Sequence, residues 1–295
     1  MRGGVIEVDG AELYHEVRGS GPVLLMISGA GGDAGYYTDV AEQLADAFTV
    51  ITYDRRGNSR STGGGSGGPD GPGGPMDLGR QAADARALIE GPGGGRALVF
   101  GNSGGAIIGL TLAALHPEVL TGLVAHEPPA VNVLPDGDPD RAFFARMADL
   151  YAQGGAPAAG REFARTTRGE GTYRWPGDLW TRFLGNQDHL FSVEWPGFGG
   201  FHPDEAALKR ASFPIVLGAG AEDRGTYYAR PSVEIARRIG APWAEFPGIH
   251  MEFLRAPAVF AAALRPLLTQ LHSRTGDVPE MWERDRPRGG TLRMP

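Results

Sequence analysis

The hydrophobic positions change period several times along the chain, and each change marks an element. Residues 5–8 and 11–17 alternate with period two across an Asp9-Gly10 pair, which predicts a β-hairpin. Residues 23–28, 49–54, 96–101, 120–126 and 213–218 are nearly continuous apolar runs. That is the pattern of strands buried on both faces of a parallel sheet. A short strand is predicted at 244–246. Between the strands the period moves toward that of a helix. Helices are expected over 36–48, from an Asp77 cap to about residue 90, and over 104–115, 231–239 and 256–272. Strands alternating with helices predict an α/β fold with a mostly parallel central sheet flanked by helices.

The alternation is interrupted from 130 to 210. Helical spacing covers 138–152, anchored by Phe143, Phe144, Met147, Leu150 and Tyr151, and again 156–168. Trp175, Trp180, Phe183, Leu190, Phe191, Trp195 and Phe198 crowd the span that follows. We read this stretch as a helical lid inserted into a core made of 1–129 and 211–272. Most of its aromatics are expected in the lid's own core, with some facing a pocket. His189, a lone histidine among them, is by default a structural residue. The charged stretch 273–295 lacks periodicity, which fits an arm laid over the surface or over a homodimer partner, and fits disorder equally. Residues 62–75 are nearly all Gly, Pro, Ser and Asp, a flexible loop. No Lys-Ser or Lys-Thr pair follows these glycines, as a phosphate loop would require.

Composition narrows the function. A net charge of −7 without a basic cluster argues against nucleic acid and against an anionic membrane surface. With no cysteine there is no disulfide, thiolate metal site or cysteine nucleophile. The N-terminal residues lack the apolar core of a signal peptide, and no run is long enough to span a bilayer, so a cytoplasmic enzyme is the default. The seven histidines show no H-x-H or H-x-x-x-H spacing, so neither a metal nor another cofactor is expected.

The chemistry concentrates at Gly101-Asn102-Ser103-Gly104-Gly105, a G-x-S-x-G between a predicted strand and a predicted helix. In that context the pattern reads as a nucleophile elbow. A turn this sharp brings neighbouring residues together, so glycines flank it, and it pushes the Ser103 hydroxyl out above the sheet edge. It also leaves the Gly104 N–H at a helix N-terminus, where it can stabilise an oxyanion. A second glycine-rich turn, Gly29-Ala30-Gly31-Gly32-Asp33, follows the strand at 23–28 and can aim further N–H groups into a site.

Four motifs together resemble the α/β-hydrolase superfamily over roughly residues 4 to 272. They are Ser28-Gly29-Ala30-Gly31-Gly32, Asp54-Arg55-Arg56-Gly57-Asn58-Ser59, the elbow, and Gly248-Ile249-His250 ahead of the last helix. The resemblance implies Ser103 as nucleophile, His250 as general base and the N–H groups of Ala30 and Gly104 as oxyanion hole. The first motif departs from the usual pattern, which starts with histidine where Ser28 stands; a hole built from backbone should survive that change. For the triad acid the resemblance offers two positions. The usual one is Asp223 in Gly220-Ala221-Glu222-Asp223, whose bland reading is an exposed carboxylate in a solvated run. The other is Glu127, after the strand at 120–126, which is similar to the placement in zearalenone lactonases. A glutamate abutting the catalytic edge of a buried strand is costly unless paired, so Glu127 is favoured while Asp223 stays open.

The function this implies is a serine hydrolase of carboxylic esters or lactones acting on a small molecule with an apolar or bulky acyl part. C–C bond hydrolysis, acyl transfer or a natural-product tailoring step on the same fold are alternatives. A non-catalytic ligand-binding protein is disfavoured by the complete Ser, His and carboxylate set.

Overall fold

A computed structural model of the chain describes residues 1–63, 74–167 and 173–273. Its centre is an eight-stranded sheet: β1 (Arg2–Val8), β2 (Ala11–Arg18), β3 (Val23–Ile27), β4 (Thr49–Tyr53), β5 (Ala97–Asn102), β6 (Leu120–His126), β7 (Ile215–Gly220) and β8 (Trp243–Phe246). The spatial order is β1-β2-β4-β3-β5-β6-β7-β8. The β1–β2 and β2–β4 pairs are antiparallel and the rest are parallel. β5 is buried along its whole length, as its unbroken apolar run requires.

Eleven helices are described: α1 (Thr38–Leu44), α2 (Leu78–Glu90), α3 (Gly104–Leu115), α4 (Phe143–Thr166), α5 (Leu179–Gly185), α6 (Gln187–His189), α7 (Trp195–Gly199), α8 (Glu205–Lys209), α9 (Arg230–Ile239), α10 (Glu252–Arg255) and α11 (Pro257–Ser273). They bury two hydrophobic cores. One holds α2, α3 and α9 with much of α4 and α7, and the other holds α1 and α11. Asp77 caps α2 through the Arg80 N–H, as its sequence position suggests. The described residues between β6 and β7 are helical or irregular and include a five-residue π-helical stretch, Leu190–Glu194. No described helix is long and apolar enough to cross a membrane.

Two sequence expectations shift and a third holds. The helix expected over 36–48 begins as a 3₁₀ turn, Ala34–Tyr37, and α1 stops at Leu44. The chain then turns, because Ala45 to Phe48 pack against the turn at Gly19; a Cβ there would fall 2.2 Å from the Ala45 carbonyl oxygen. β7 lies two residues later than expected, since Gly218 and Gly220 belong to the strand. Gly218 permits close approach to β8, since a Cβ there would meet the Phe246 ring at 2.6 Å, and Gly220 permits close approach to the turn after β8, since a Cβ there would lie 2.5 Å from the Gly248 carbonyl oxygen. The two helices expected over 138–152 and 156–168 are both present within α4, which consists of two helical segments meeting at Gly155, where φ is 63°; a 3₁₀ turn, Pro139–Ala142, precedes the first. Apart from Ser273, which ends α11, the expectations for 273–295 lie outside the described residues, as do those for residue 168 and for most of 62–75.

Candidate active site

Ser103 sits at the junction of β5 and α3 with φ 57° and ψ −124°, a backbone conformation that L-residues rarely adopt. It is held there from both sides. Its N–H donates to the His126 carbonyl at 2.9 Å. The flanking glycines allow the crossing, for a Cβ on Gly101 would lie 2.3 Å from the Gly105 carbonyl oxygen, and one on Gly105 would lie 2.0 Å from that of Ile27. Only two other described non-glycine residues have positive φ, Ser59 and Glu127. Two of these three strained positions therefore stand at this one site.

Glu127 follows β6 directly and is fully buried. Both its oxygens are engaged: Oε2 accepts from His250 Nδ1 at 2.6 Å and Oε1 accepts from the Gly220 N–H at 2.8 Å. Burial pushes the Glu127 carboxyl up, but the adjacent imidazoles and the Gly220 N–H outweigh it and hold the group below the usual range. His250 precedes α10 at the cavity wall, and the Tyr228 ring packs on its imidazole with centroids 4.2 Å apart. With Nδ1 donating to the carboxylate, Nε2 is the basic nitrogen.

Asp223 is also fully buried, whereas its neighbours Glu222 and Arg224 are exposed. The reading of 222–224 as a solvated run is thus corrected at its middle residue, which folds inward in the turn after β7, its N–H bonded to the Gly220 carbonyl. The His250 Nδ1 bond nevertheless goes to Glu127.

Sequence reasoning missed two residues behind this pair. Asn102 Nδ2 donates to His126 Nδ1 at 2.9 Å and to the His250 carbonyl at 3.2 Å, so the residue before Ser103 bridges β6 and the histidine loop. His126 lies beneath, its ring packed edge-on against Phe246 and Phe260. Complete burial lowers its pKa to about 4, so it is neutral at pH 7. Neither showed a signal beyond strand periodicity. His189, 3.8 Å from Glu194, is not among the residues lining the cavity described next.

Ser103 and His250 open onto one cavity of about 450 Å³. Ala30 lines it as well, and Gly104 begins α3 directly behind Ser103. The remaining lining is mainly aromatic, with Tyr36, Tyr37, Phe163, Tyr173, Trp175, Trp180, Phe183 and Phe253. Of the aromatics between β6 and β7, Phe191, Trp195 and Phe198 are core, while Trp175 stacks on Phe183 at the cavity wall. No Arg, Lys, Asp or Glu is among the described lining residues. Nor do the described residues include a group of three His, Asp or Glu that could hold a metal ion.

The Asp54-to-Ser59 motif is a structural hub beside this cavity. Asp54 accepts from the Ala34 N–H at 2.8 Å and from Arg60, while Arg56 makes two bonds to Asp84 of α2, at 2.9 and 2.6 Å. Such charge-assisted, paired bonds lock the loops between β3, β4 and α2.

With this geometry in view, residues 22–199 match the family model described as the alpha/beta hydrolase fold. The chain is 30% identical over 281 residues to an uncharacterized hydrolase, YraK, of Bacillus subtilis strain 168, covering 91% of this chain and 96% of that protein. Among solved structures, a thermophilic esterase from Thermogutta terrifontis superposes with TM-score 0.70 at 20% identity, covering 92% of this chain and 100% of the other. An enol-lactonase from Burkholderia xenovorans LB400 superposes with TM-score 0.65 at 19% identity, covering 90% and 100%. At these identities the two structures speak to the fold alone.

Proposed function

The chain belongs to the α/β-hydrolase family and is a hydrolase of that type; from that premise we propose that it is a serine hydrolase cleaving a carboxylic ester or lactone. The observation that carries this reading is one continuous arrangement. A serine on a strained elbow shares a cavity wall with a histidine whose Nδ1 is bonded to a buried carboxylate at 2.6 Å. In this reading Ser103 Oγ attacks the carbonyl carbon as His250 Nε2 takes its proton. Glu127 fixes the histidine tautomer and stabilises the imidazolium. The tetrahedral oxyanion is held by the N–H groups of Ala30 and Gly104. Collapse returns the proton from His250 to the leaving alkoxide. Water then attacks the acyl-enzyme by the same route and releases the acid.

The cavity's chemistry narrows the substrate. Aromatic walls with no charged side chain among the described lining residues favour a neutral ester or lactone with a bulky apolar or aromatic acyl part, because a buried carboxylate on the substrate would find no cation among them. The narrower likeness to zearalenone lactonases rests on the position of Glu127 alone. The test is a panel of neutral and carboxylate-bearing esters and lactones, together with a serine-directed phosphonate followed by mass spectrometry. Turnover of neutral aromatic esters, with one phosphonate on Ser103 that is lost in Ser103→Ala, is the expected result. A folded protein whose Ser103 stays unmodified and which turns over no ester or lactone would sink the reading.

A further inference from the structure

We infer that Arg55 is a positioning residue for the oxyanion hole, and that Glu194 makes this positioning depend on the helical insertion being docked. The inference rests on the acyl-transfer reading of the cavity.

One peptide group sets the direction of the Ala30 N–H. The Gly29–Ala30 amide is planar and trans, so the Gly29 carbonyl and the Ala30 N–H point in opposite directions. Whatever holds the carbonyl therefore aims the N–H. Arg55 Nη2 donates to the Gly29 carbonyl at 2.8 Å and Arg55 Nε donates to the Ser28 carbonyl at 3.1 Å. The Gly32 N–H adds a bond to the Gly29 carbonyl at 3.1 Å. Ala30 lines the cavity that Ser103 opens into. The loop comes close to the elbow at this peptide, since a Cβ on Gly29 would lie 2.8 Å from Ser103 Cβ. Reversal of the amide would present a carbonyl oxygen, the wrong end of the dipole, to a developing oxyanion.

The guanidinium that prevents this is fully buried, and so is the carboxylate that balances it. Glu194 Oε1 lies 2.7 Å from Arg55 Nη1, and Oε2 accepts from Nη2 at 2.7 Å. Asn58 Nδ2 donates to Glu194 Oε1 at 2.8 Å. Glu194 closes the π-helical stretch of the insertion. Withdrawing it would leave an unpaired buried charge, and Arg55 would move toward water and release the two carbonyls. A second contact runs the same way, as Asn186 of the insertion donates to the Gly31 carbonyl at 2.8 Å. The carbonyls of residues 28, 29 and 31 are thus each held by a side chain. One of those side chains lies in the insertion, and another is charge-balanced by it.

The experiment compares wild type, Arg55→Lys and the double variant Arg55→Met with Glu194→Leu. The double variant removes both charges together and keeps the site apolar and filled. Arg55→Lys keeps the charge beside Glu194 but lacks the fork that reaches two carbonyls. The readouts are kcat and KM on an ester the wild type turns over, inhibition by a trifluoromethyl ketone whose serine adduct carries an oxyanion, phosphonate uptake at Ser103, and the thermal midpoint. The expected result is a fall in kcat of about 100-fold per labelled Ser103, with KM held within about threefold and ketone affinity falling in step with kcat. A merely structural role would lower the thermal midpoint and the fraction of labelled Ser103, and leave kcat per labelled site and ketone affinity unchanged. That outcome in a folded Arg55→Lys protein overturns the inference even if the double variant fails to fold. A folded wild type that neither takes up phosphonate nor hydrolyses any ester or lactone is a separate result, which overturns the serine-hydrolase reading and the inference with it.

Discussion

Nδ1 of His250 lies 2.6 Å from Oε2 of Glu127 across 123 positions of sequence, and neither side chain has appreciable contact with water. Between buried side chains such a bond is worth more than at a surface, and a lone partner is costly. Glu127→Ala should lower kcat by roughly 10³- to 10⁴-fold, since the imidazole loses both its tautomer lock and its counter-charge. Asp223→Ala should keep kcat within about tenfold and show its effect in the thermal midpoint, as expected for a buried group outside the proton path. Steady-state kinetics on both variants decides between them. Collapse of turnover in Asp223→Ala alone would reassign the acid.

The two glycines after the serine should respond differently to one added methyl. On Gly105 a Cβ meets the Ile27 backbone carbonyl at 2.0 Å, and backbone cannot step aside. On Gly104 it meets the far edge of the Phe198 ring at 2.4 Å, which a small shift of the ring relieves. Gly105→Ala should cost more than about 3 kcal/mol and yield little folded protein, whereas Gly104→Ala should cost about 1–2 kcal/mol. Chemical denaturation measures both, and equal losses would contradict the crossing geometry at the elbow.

His126 sets a pH dependence of stability. Its native pKa is lowered to about 4 by burial, against an ordinary value of 6.5. Between those values the unfolded chain binds a proton that the native ring refuses. The stability involved is complete above pH 6.5 and disappears as pH falls toward 4, a change of roughly 3 kcal/mol at most. Glu127, whose carboxyl is also lowered, adds a loss in the same direction below pH 4.5. His126→Gln keeps an acceptor for Asn102 and should flatten the profile between pH 6.5 and 4. Unfolding free energies from urea titrations across that range test this, and parallel curves for the two proteins would refute it.

The sheet and the elbow were legible in the sequence because their causes are local. A strand buried on both faces must be apolar throughout, and a chain crossing itself at Ser103 must lack side chains at Gly101 and Gly105. The identity of the His250 partner was less legible. The burial cost that favoured Glu127 applies equally to Asp223, which the charged neighbours Glu222 and Arg224 disguise as a surface residue. Least legible was the Arg55–Glu194 pair. Its members are 139 positions apart, and Glu194 stands between aromatic core residues with nothing in the local pattern to say that its carboxylate turns inward. Pairing of that kind is decided by how the insertion docks, which periodicity does not encode.

The φ of 57° at Ser103 also bears on how this protein could be evolved in the laboratory. Glycine would occupy that conformation without the roughly 1–3 kcal/mol of strain that a side-chain-bearing residue carries there. A library sorted for heat resistance alone would therefore enrich Ser103→Gly, trading turnover for robustness at the residue on which the proposed reaction depends. Selection schemes that score catalysis in the same round would keep the serine and leave its strain in place.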